Sequence, residues 1–241
     1  MKPQFRKRRL PHWDLPGAMY FVTTCLAGSI PAEGLLDVRD LRTQLDRQPR
    51  PEQLSEDDWR RKKWKQTFAR TDEWLDNRPV VRHLEDKRLA VEVVKSMLHF
   101  ADQRYELWAY VVMPSHLHWV FRPLPDWEAS LADDERSPRE IIMHSLKRFT
   151  ASQCNLLLHD SGAFWQDESY DHCVRDEAEL ERVINYVEAN PVKPGLAASP
   201  SDFRFSSAWL LEQPEVELKR PISVGQVFNL PGLFERMLGE S

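Results

Sequence analysis

The stretch that decides the fold reads Val111-Val112-Met113-Pro114-Ser115-His116-Leu117-His118-Trp119-Val120-Phe121. Apolar residues run up to a short Met-Pro-Ser link and resume after it around two histidines. The pattern predicts two strands, over residues 105–112 and 116–123, which pair as antiparallel neighbours because the link is short. Side chains at i and i+2 of a strand point to the same face, so His116 and His118 project together.

The histidine pair is half of a possible divalent-metal site, since imidazole is the commonest metal ligand among protein side chains. Two histidines at this spacing are also compatible with simple packing or surface positions. Cys25, Cys154 and Cys173 show no C-x-x-C spacing, which argues against a structural zinc site. An open site for magnesium or manganese stays compatible, because imidazoles can join oxygen ligands around a catalytic ion.

The rest of the chain supplies the other elements of a small α+β fold. The predicted elements are a strand over 18–26, a helix over 84–100, a helix from the Ser137 capping box to about 158, a strand over 170–174 and a helix over about 177–190. This order predicts a ferredoxin-like, antiparallel four-stranded sheet with helices on one face. The last helix is then free to lie across the face that bears the histidines.

Two further segments are interpreted from composition. Residues 31–80 are strongly charged with apolar residues at helical intervals, which predicts a partly exposed helical insertion interrupted by prolines at residues 48–51. Residues 11–17 are typical of a turn-rich segment.

Length and composition limit the class of protein. The chain has 241 residues, enough for one sizeable domain with an insertion, and 41% of them are hydrophobic. There is no run of 18 apolar residues and no apolar segment after the basic N-terminus, so we expect neither a membrane span nor a signal peptide. Three scattered cysteines fit a reducing cytoplasm.

Charge is unevenly distributed. The net charge of −5 argues against a uniformly basic nucleic-acid binder, yet residues 1–10 carry five basic groups and residues 59–65 form a second basic block with two tryptophans. Basic patches with aromatic side chains can bind single strands through phosphate contacts and stacking. A solvated helix face with its tryptophans packed inward explains the second block equally well.

The last predicted helix carries two candidate site residues. Tyr186 and Asn190 are four residues apart, so they lie on one side of the helix at the edge of its apolar stripe. A tyrosine hydroxyl can act as a nucleophile, and an asparagine oxygen can bind a hard cation. The alternatives are that Tyr186 only packs its ring and that Asn190 is an ordinary helix end before Pro191.

Several of these motifs together resemble a known family. They are Val112-Met113-Pro114-Ser115-His116-Leu117-His118, Trp165-Gln166, Tyr170-Asp171-His172 with Arg175-Asp176, and Tyr186 to Gly195. In order and spacing they are similar to the REP-associated tyrosine transposases, part of the wider single-tyrosine HUH transposase family. The resemblance covers roughly residues 8–30 and 80–210. It implies an HUH endonuclease type of fold in a catalytic domain over 1–210, with the insert at about 31–80 and a C-terminal tail over 211–241.

The resemblance also implies roles for individual residues. His116, His118 and Asn190 match the family's ligands for a divalent metal, Mg²⁺ or Mn²⁺, and Tyr186 matches its nucleophile. Tyr170 is the competing nucleophile, although its place on the strand favours a structural role. Ser115 stands where relatives often have asparagine, and Pro194 where they often have alanine; the first could alter the turn beside the histidines.

The implied activity is metal-dependent cleavage and rejoining of single-stranded hairpin DNA through a 5′-phosphotyrosine, on nucleoid DNA in the cytoplasm. The candidates for DNA phosphate contacts are Arg6, Lys7, Arg8, Arg9, Lys147 and Arg148. No nucleotide cofactor is expected, since no Walker-type glycine loop is present, and both monomer and homodimer are open. The alternatives are a hairpin-binding protein that no longer cuts and a metal-dependent hydrolase that uses water as its nucleophile.

Overall fold

The computed structural model describes residues 4–7, 11–132, 134–214, 216, 220–223, 225, 227 and 229–239, with the backbone alone for 4–7 and 11–13. Its strands are β1 (Gln4–Lys7), β2 (Pro11–Asp14), β3 (Met19–Cys25), β4 (Tyr105–Val112), β5 (His116–Pro123) and β6 (Tyr170–Val174). Its helices are α1 (Ala32–Arg47), α2 (Glu56–Asn77), α3 (Lys87–His99), α4 (Pro125–Ala129), α5 (Pro138–Leu158), α6 (Glu177–Ala189), α7 (Ser207–Leu211) and α8 (Leu230–Leu238).

The central sheet is antiparallel, with the strand order β4-β5-β3-β6. The predicted four-stranded α+β sheet is therefore confirmed, including the short connection between β4 and β5. His118 lies opposite Val111 on one side and opposite Thr23 on the other, so the histidines occupy an inner strand. The prediction of a turn-rich segment over residues 11–17 is wrong for 11–14, because these residues pair with β1.

Helices cover both faces of the sheet, which corrects the predicted arrangement with helices on one face. On one face, Leu117, Trp119 and Phe121 of β5 share a core with residues of α3, α5 and α8. On the other face, Val120 packs with Phe68 of α2 and Val187 of α6. The physical reason lies in β4, which contributes apolar residues to both cores and would leave apolar side chains in water if one face were bare.

The core helices begin and end close to their predicted bounds because their signals are local. Ser137 accepts a hydrogen bond from the backbone N–H of Glu140, whose carboxylate accepts one from the Ser137 N–H, so the predicted capping box is formed. Asp176 caps α6 in a similar way through the N–H of Glu179. Helix α6 lies on the histidine face, as the sequence predicts.

The insertion is an antiparallel pair of helices, α1 and α2, separated by the predicted break. A side chain at Gly34 would place its Cβ 2.8 Å from the Trp74 ring, so the two helices can approach closely only with glycine there. The first half of α2 is largely exposed, whereas its second half buries Phe68, Thr71, Asp72 and Leu75. The insertion is therefore packed onto the histidine face of the sheet.

The C-terminal residues pack against the same core as the sheet. Ile222 pairs with Leu107 of β4, and Leu233 and Met237 of α8 are fully buried in the core that includes α3. Across the described residues, none of the helices has the combination of length and apolar character that crossing a membrane would need.

Candidate active site

The two histidines are fully buried and are held by hydrogen bonds at their Nδ1 atoms. Thr23 Oγ1 lies 2.6 Å from His118 Nδ1, and Ser115 Oγ lies 3.0 Å from His116 Nδ1. The Ser115 hydroxyl donates its hydrogen to the Leu75 carbonyl, at 3.2 Å. Its oxygen must therefore accept the Nδ1–H of His116, which leaves a lone pair on the Nε2 atom of that ring.

The Nε2 atoms of the two rings converge. They lie 3.1 Å apart, and the ring centroids are 4.7 Å apart. Burial, with a further effect from the His118 charge, lowers the pKa of His116 to about 3, so that this ring is neutral at pH 7. A neutral imidazole with an inward lone pair is the form that binds a metal ion.

Helix α2 brings two carboxylates to the histidines. Asp72 Oδ1 lies 3.3 Å from His118 Nε2, and Asp76 Oδ1 lies 3.9 Å from His116 Nε2. Lys193, just beyond α6, places its Nζ atom 2.9 Å from Asp76 Oδ2 and 3.9 Å from Asp72 Oδ2. The potential ligand atoms of Asp72, His116 and His118 all lie within 4.8 Å of one another.

The two carboxylates differ in their electrostatic surroundings. Burial alone would raise the pKa of Asp72, but its hydrogen bond to His118 and the His118 charge hold that pKa well below its usual range. Burial and the Asp72 charge raise the pKa of Asp76, against the effect of Lys193. We therefore expect Asp72 to be the carboxylate that stays ionised next to the imidazoles.

Tyr186 joins the same cluster from α6. Its hydroxyl donates to Asp72 Oδ2 at 2.6 Å, and its ring lies 5.5 Å from the His118 ring, centroid to centroid. Phe21 and Phe68 pack edge-on against the tyrosine ring. Burial and the Asp72 charge raise the pKa of Tyr186, so the hydroxyl is protonated at neutral pH.

Asn190 follows α6 as its C-terminal cap and is 3% exposed. Neither its Oδ1 nor its Nδ2 atom has a hydrogen-bond partner among the described residues. The side chain is near the Tyr186 hydroxyl, whose pKa it slightly lowers. A buried amide without partners costs about 1–3 kcal/mol, and a ligand bound beside Asn190 would offset that cost.

The structure therefore brings together His116, His118 and Tyr186, with Asn190 beside the tyrosine. The sequence interpretation missed Asp72 and Asp76, which it left in an insertion of unassigned role. A signal was present: Asp72 interrupts the apolar stripe of α2 formed by Trp64, Phe68 and Leu75, where a charged residue needs a buried partner.

The other candidate residues lie away from the histidines. Tyr170 packs its ring on Phe68, and its hydroxyl accepts a hydrogen bond from Thr71 at 3.1 Å. Lys147 donates to the backbone carbonyls of Gln166 and Asp167, and burial lowers its pKa to about 8.

Among the remaining candidates for phosphate contacts, Arg148 is exposed on α5, the helix on the opposite face of the sheet. Of the N-terminal arm, Arg6 and Lys7 lie in β1, where the structure describes the backbone alone, and Arg8 and Arg9 fall outside the described residues.

A cleft of about 370 Å³ leads from the surface to Tyr186 between α2 and α6. Its lining includes Trp64, Phe68, Tyr186 and three cations, Lys65, Arg182 and Lys193. The Trp64 ring stacks 5.0 Å from the His172 ring and 5.1 Å from the Phe68 ring. Asp72 and Glu179 also line the cleft, so the nucleophile candidate is reached through an aromatic passage that carries three cations and two carboxylates.

The residues at the centre fit a divalent cation. They offer two imidazole nitrogens together with three buried oxygens, Asp72 Oδ1, Asp76 Oδ1 and Asn190 Oδ1. Within the described ranges, Asp76 Oδ1 and Asn190 Oδ1 have no hydrogen-bond partner, and Asp72 Oδ1 has only His118 beside it. Mixed nitrogen and oxygen donors of this kind suit manganese, zinc or iron, and the carboxylates extend the range to magnesium.

Comparison with known proteins supports the resemblance inferred from the motifs. No family model matches the chain. A REP-associated tyrosine transposase of Escherichia coli K12 is 28% identical over 106 residues, which are 44% of this chain and 56% of the relative. A Haemophilus influenzae protein provisionally described in the same way is 27% identical over 111 residues, 43% of this chain and 58% of its own length. Each match thus spans little more than half of the curated relative.

A solved structure of a REP-associated tyrosine transposase bound to a REP hairpin aligns with 91% of this chain and 93% of its own. The TM-score is 0.47 and the identity 17%. This likeness is too weak to carry any conclusion. The similarity of this chain to REP-associated tyrosine transposases therefore rests on its sequence.

Proposed function

We propose that this protein cleaves and rejoins single-stranded DNA at hairpins, with Tyr186 as the nucleophile, in a transposition reaction. The observation that carries the proposal is the placement of the Tyr186 hydroxyl 2.6 Å from a carboxylate that itself lies 3.3 Å from the histidine pair. A hydroxyl nucleophile, an acceptor for its proton and a pair of metal-type ligands therefore share one centre. The similarity to curated REP-associated tyrosine transposases supports the same activity.

His116, His118 and Asn190 are the proposed ligands of a divalent cation, Mg²⁺ or Mn²⁺. Two observations support this assignment. The Nε2 atom of His116 has a lone pair that points inward, and the amide of Asn190 has no hydrogen-bond partner among the described residues. When bound, the cation supplies positive charge that offsets the negative charge developing on the scissile phosphate. Thr23 and Ser115 hold the imidazoles in place for it.

In the proposed reaction the Tyr186 oxygen forms a bond to phosphorus while the bond from phosphorus to the 3′ oxygen breaks. Asp72 Oδ2, which already accepts the hydroxyl hydrogen, takes the tyrosine proton. The departing 3′ oxygen takes a proton from water and leaves as a hydroxyl. Attack by this hydroxyl, or by one from another strand, on the 5′-phosphotyrosine reverses the step, so that no nucleotide cofactor is needed.

Single-stranded DNA fits the cleft that leads to Tyr186. Lys65, Arg182 and Lys193 can contact phosphates, and the exposed edges of the aromatic lining can contact bases. The arm from Arg6 to Arg9 is a further candidate for contacts with the hairpin stem. Arg148 lies on the face away from this cleft and is not assigned a phosphate contact, and Lys147 is a weak candidate because its ammonium already binds two carbonyls.

The test is a covalent-adduct assay. Purified protein is mixed with labelled single-stranded hairpin DNA from the flanks of its own gene, with Mg²⁺ or Mn²⁺, and separated on a denaturing gel. We expect a protein–DNA band that is lost in Tyr186→Phe and retained in Tyr170→Phe. The two variants are matched, since each removes one buried hydroxyl from a ring that packs on Phe68.

Three other outcomes would contradict the proposal in distinguishable ways. Loss of the band only in Tyr170→Phe would assign the nucleophile to β6. Cleavage without a covalent band, retained in Tyr186→Phe, would indicate a water nucleophile. Binding of the hairpin without any cleavage would favour the protein that no longer cuts.

A further inference from the structure

We propose that the helical insertion is part of the metal centre: Asp72 Oδ1 binds the same divalent cation as His116 Nε2 and His118 Nε2. The cation then joins α2 of the insertion to β5 of the sheet. This inference rests on the proposed metal at the histidine pair, and adds to it a ligand from a segment outside the family resemblance. Because two of the four proposed donors are imidazoles, the site should bind Mn²⁺ more tightly than Mg²⁺.

The distances support a shared cation. Donor atoms that surround one ion at about 2.1 Å lie roughly 3 to 4 Å from one another. The Nε2 atoms of the two histidines are 3.1 Å apart, and Asp72 Oδ1 lies 3.3 Å from the Nε2 atom of His118. Two of the three separations therefore already match a common ion, and the third, between Asp72 and His116, is within 4.8 Å.

The hydrogen bonds around Asp72 leave one oxygen for this purpose. Oδ2 accepts from the Tyr186 hydroxyl. In the part of the chain that the structure describes, Oδ1 has His118 Nε2 beside it at 3.3 Å and no other hydrogen-bond partner, although the residue is only 3% exposed. A buried carboxylate oxygen with a single imidazole beside it is incompletely satisfied, and a cation bound by both groups would offset that cost. Asp72 would thus hold the ion with one oxygen and the nucleophile with the other.

Asp76 is a weaker candidate for the same role, although it lies one turn further along α2. Its Oδ2 atom is held by Lys193 at 2.9 Å, and its Oδ1 atom is 3.9 Å from His116 Nε2. The lysine charge beside it also opposes a second cation. We therefore assign the additional ligand to Asp72 alone.

The competing role for Asp72 is to orient His118 by accepting a hydrogen bond from its Nε2–H, without touching a metal. Loss of affinity alone does not separate the two roles, because removing a residue that orients a ligand already lowers metal affinity about 10- to 100-fold. The test must therefore detect the bond between the side chain at position 72 and the ion.

The experiment uses the full chain with Co²⁺ and Mn²⁺ alone. In Asp72→Cys, a thiolate that binds Co²⁺ gives a charge-transfer band in the near ultraviolet. The wild type, which has three cysteines of its own, provides the baseline spectrum. The matched control is Thr71→Cys, one residue away on the same buried face of α2, where Thr71 faces Tyr170. We expect the band in Asp72→Cys and not in Thr71→Cys, and about a 100-fold loss of Mn²⁺ affinity in Asp72→Asn.

Each result has a definite consequence. If Asp72→Cys binds Co²⁺ but shows no thiolate charge-transfer band, the side chain at position 72 is not a ligand. The proposed role of the insertion would then be overturned, and the metal would be held by the histidines without it. Failure of the wild type to bind either ion would overturn the metal site as well, while the covalent-adduct assay would still decide the nucleophile. Circular dichroism shows whether Asp72→Cys folds. If it does not fold, the affinity of Asp72→Asn for Mn²⁺ decides, and a value equal to that of the wild type would overturn the proposal.

Discussion

At the scale of single residues, Asn190 is unusual because its buried amide forms no hydrogen bond within the described structure. An ordinary buried asparagine loses hydrogen bonds when it is replaced, whereas Asn190 has none to lose. Its burial is understandable if the amide oxygen binds the cation beside Tyr186, as we propose. This gives a prediction that separates metal binding from folding.

We expect Asn190→Ala to leave the free energy of unfolding in EDTA unchanged or raised, because the substitution removes a buried amide for which the described residues supply no partner. In Mn²⁺, the variant should lose about tenfold in affinity and therefore about 1.4 kcal/mol of metal-induced stabilisation. Urea unfolding with and without Mn²⁺ measures both quantities. Asn185→Ala, on the exposed side of α6, is the control and should bind Mn²⁺ as the wild type does. A large loss of stability in EDTA would mean that Asn190 is structural.

His116 gives a pH-dependent prediction for the metal-free protein. Its pKa of about 3 in the folded chain lies below the 6.5 of an unperturbed histidine, because burial and His118 disfavour its charged form. Between these values the unfolded chain binds the extra proton. The contribution of His116 to stability is therefore complete above pH 6.5 and is lost as the pH falls toward 3.

In EDTA we expect the unfolding free energy of the wild type to fall, between pH 6.5 and 4.5, more steeply than that of His116→Gln. The difference should approach about 1.4 kcal/mol per pH unit for one proton. Asn185→Ala removes an exposed side chain that does not titrate and should show the pH dependence of the wild type. Parallel curves for the wild type and His116→Gln would show that His116 titrates alike in both states.

At the scale of elements, the proposed cation would fasten α2 to β5 and so restrict the opening of the insertion. We expect Mn²⁺ to slow amide hydrogen exchange in the second half of α2, around Phe68 to Leu75, and His118→Ala to abolish this effect. Helix α8 serves as an internal reference, because it packs on α3 on the opposite face of the sheet. Equal exchange in α2 with and without Mn²⁺ would argue against a metal link between the insertion and the sheet.

The elements also show which features could be predicted from the sequence. The β4–β5 hairpin and the start of α5 depend on neighbouring residues, such as the short link before His116 and the Ser137 capping box, and both are confirmed. The place of Asp72 depends on contacts with residues that are more than 40 positions away, His118 among them. Hydrophobic periodicity shows that α2 has a buried face, but it does not show against which face of the sheet α2 packs. For the same reason, the sequence did not predict that helices pack on both faces of the sheet.

At the scale of the whole molecule, charge is unevenly distributed, which the proposed binding of DNA by an acidic protein requires. The net charge is −5, yet three cations line the cleft to Tyr186. The proposed metal ligands lie beneath this cleft, with both histidines fully buried. Because Asp72 and Tyr186 line this cleft, we expect the scissile phosphate to approach along it, with its cations marking the track of the strand.

This arrangement predicts which arginine controls the salt dependence of binding. Each phosphate contact with a single strand contributes about 0.7 to the slope of log affinity against log salt. Arg182→Ala, at the cleft, should reduce the slope for single-stranded hairpin DNA by about 0.7, whereas Arg148→Ala, on the opposite face, should leave it unchanged. Fluorescence anisotropy over a series of salt concentrations, in EDTA to prevent cleavage, measures both slopes. The reverse result would place the strand over α5, away from Tyr186, and would contradict the proposed path to the nucleophile.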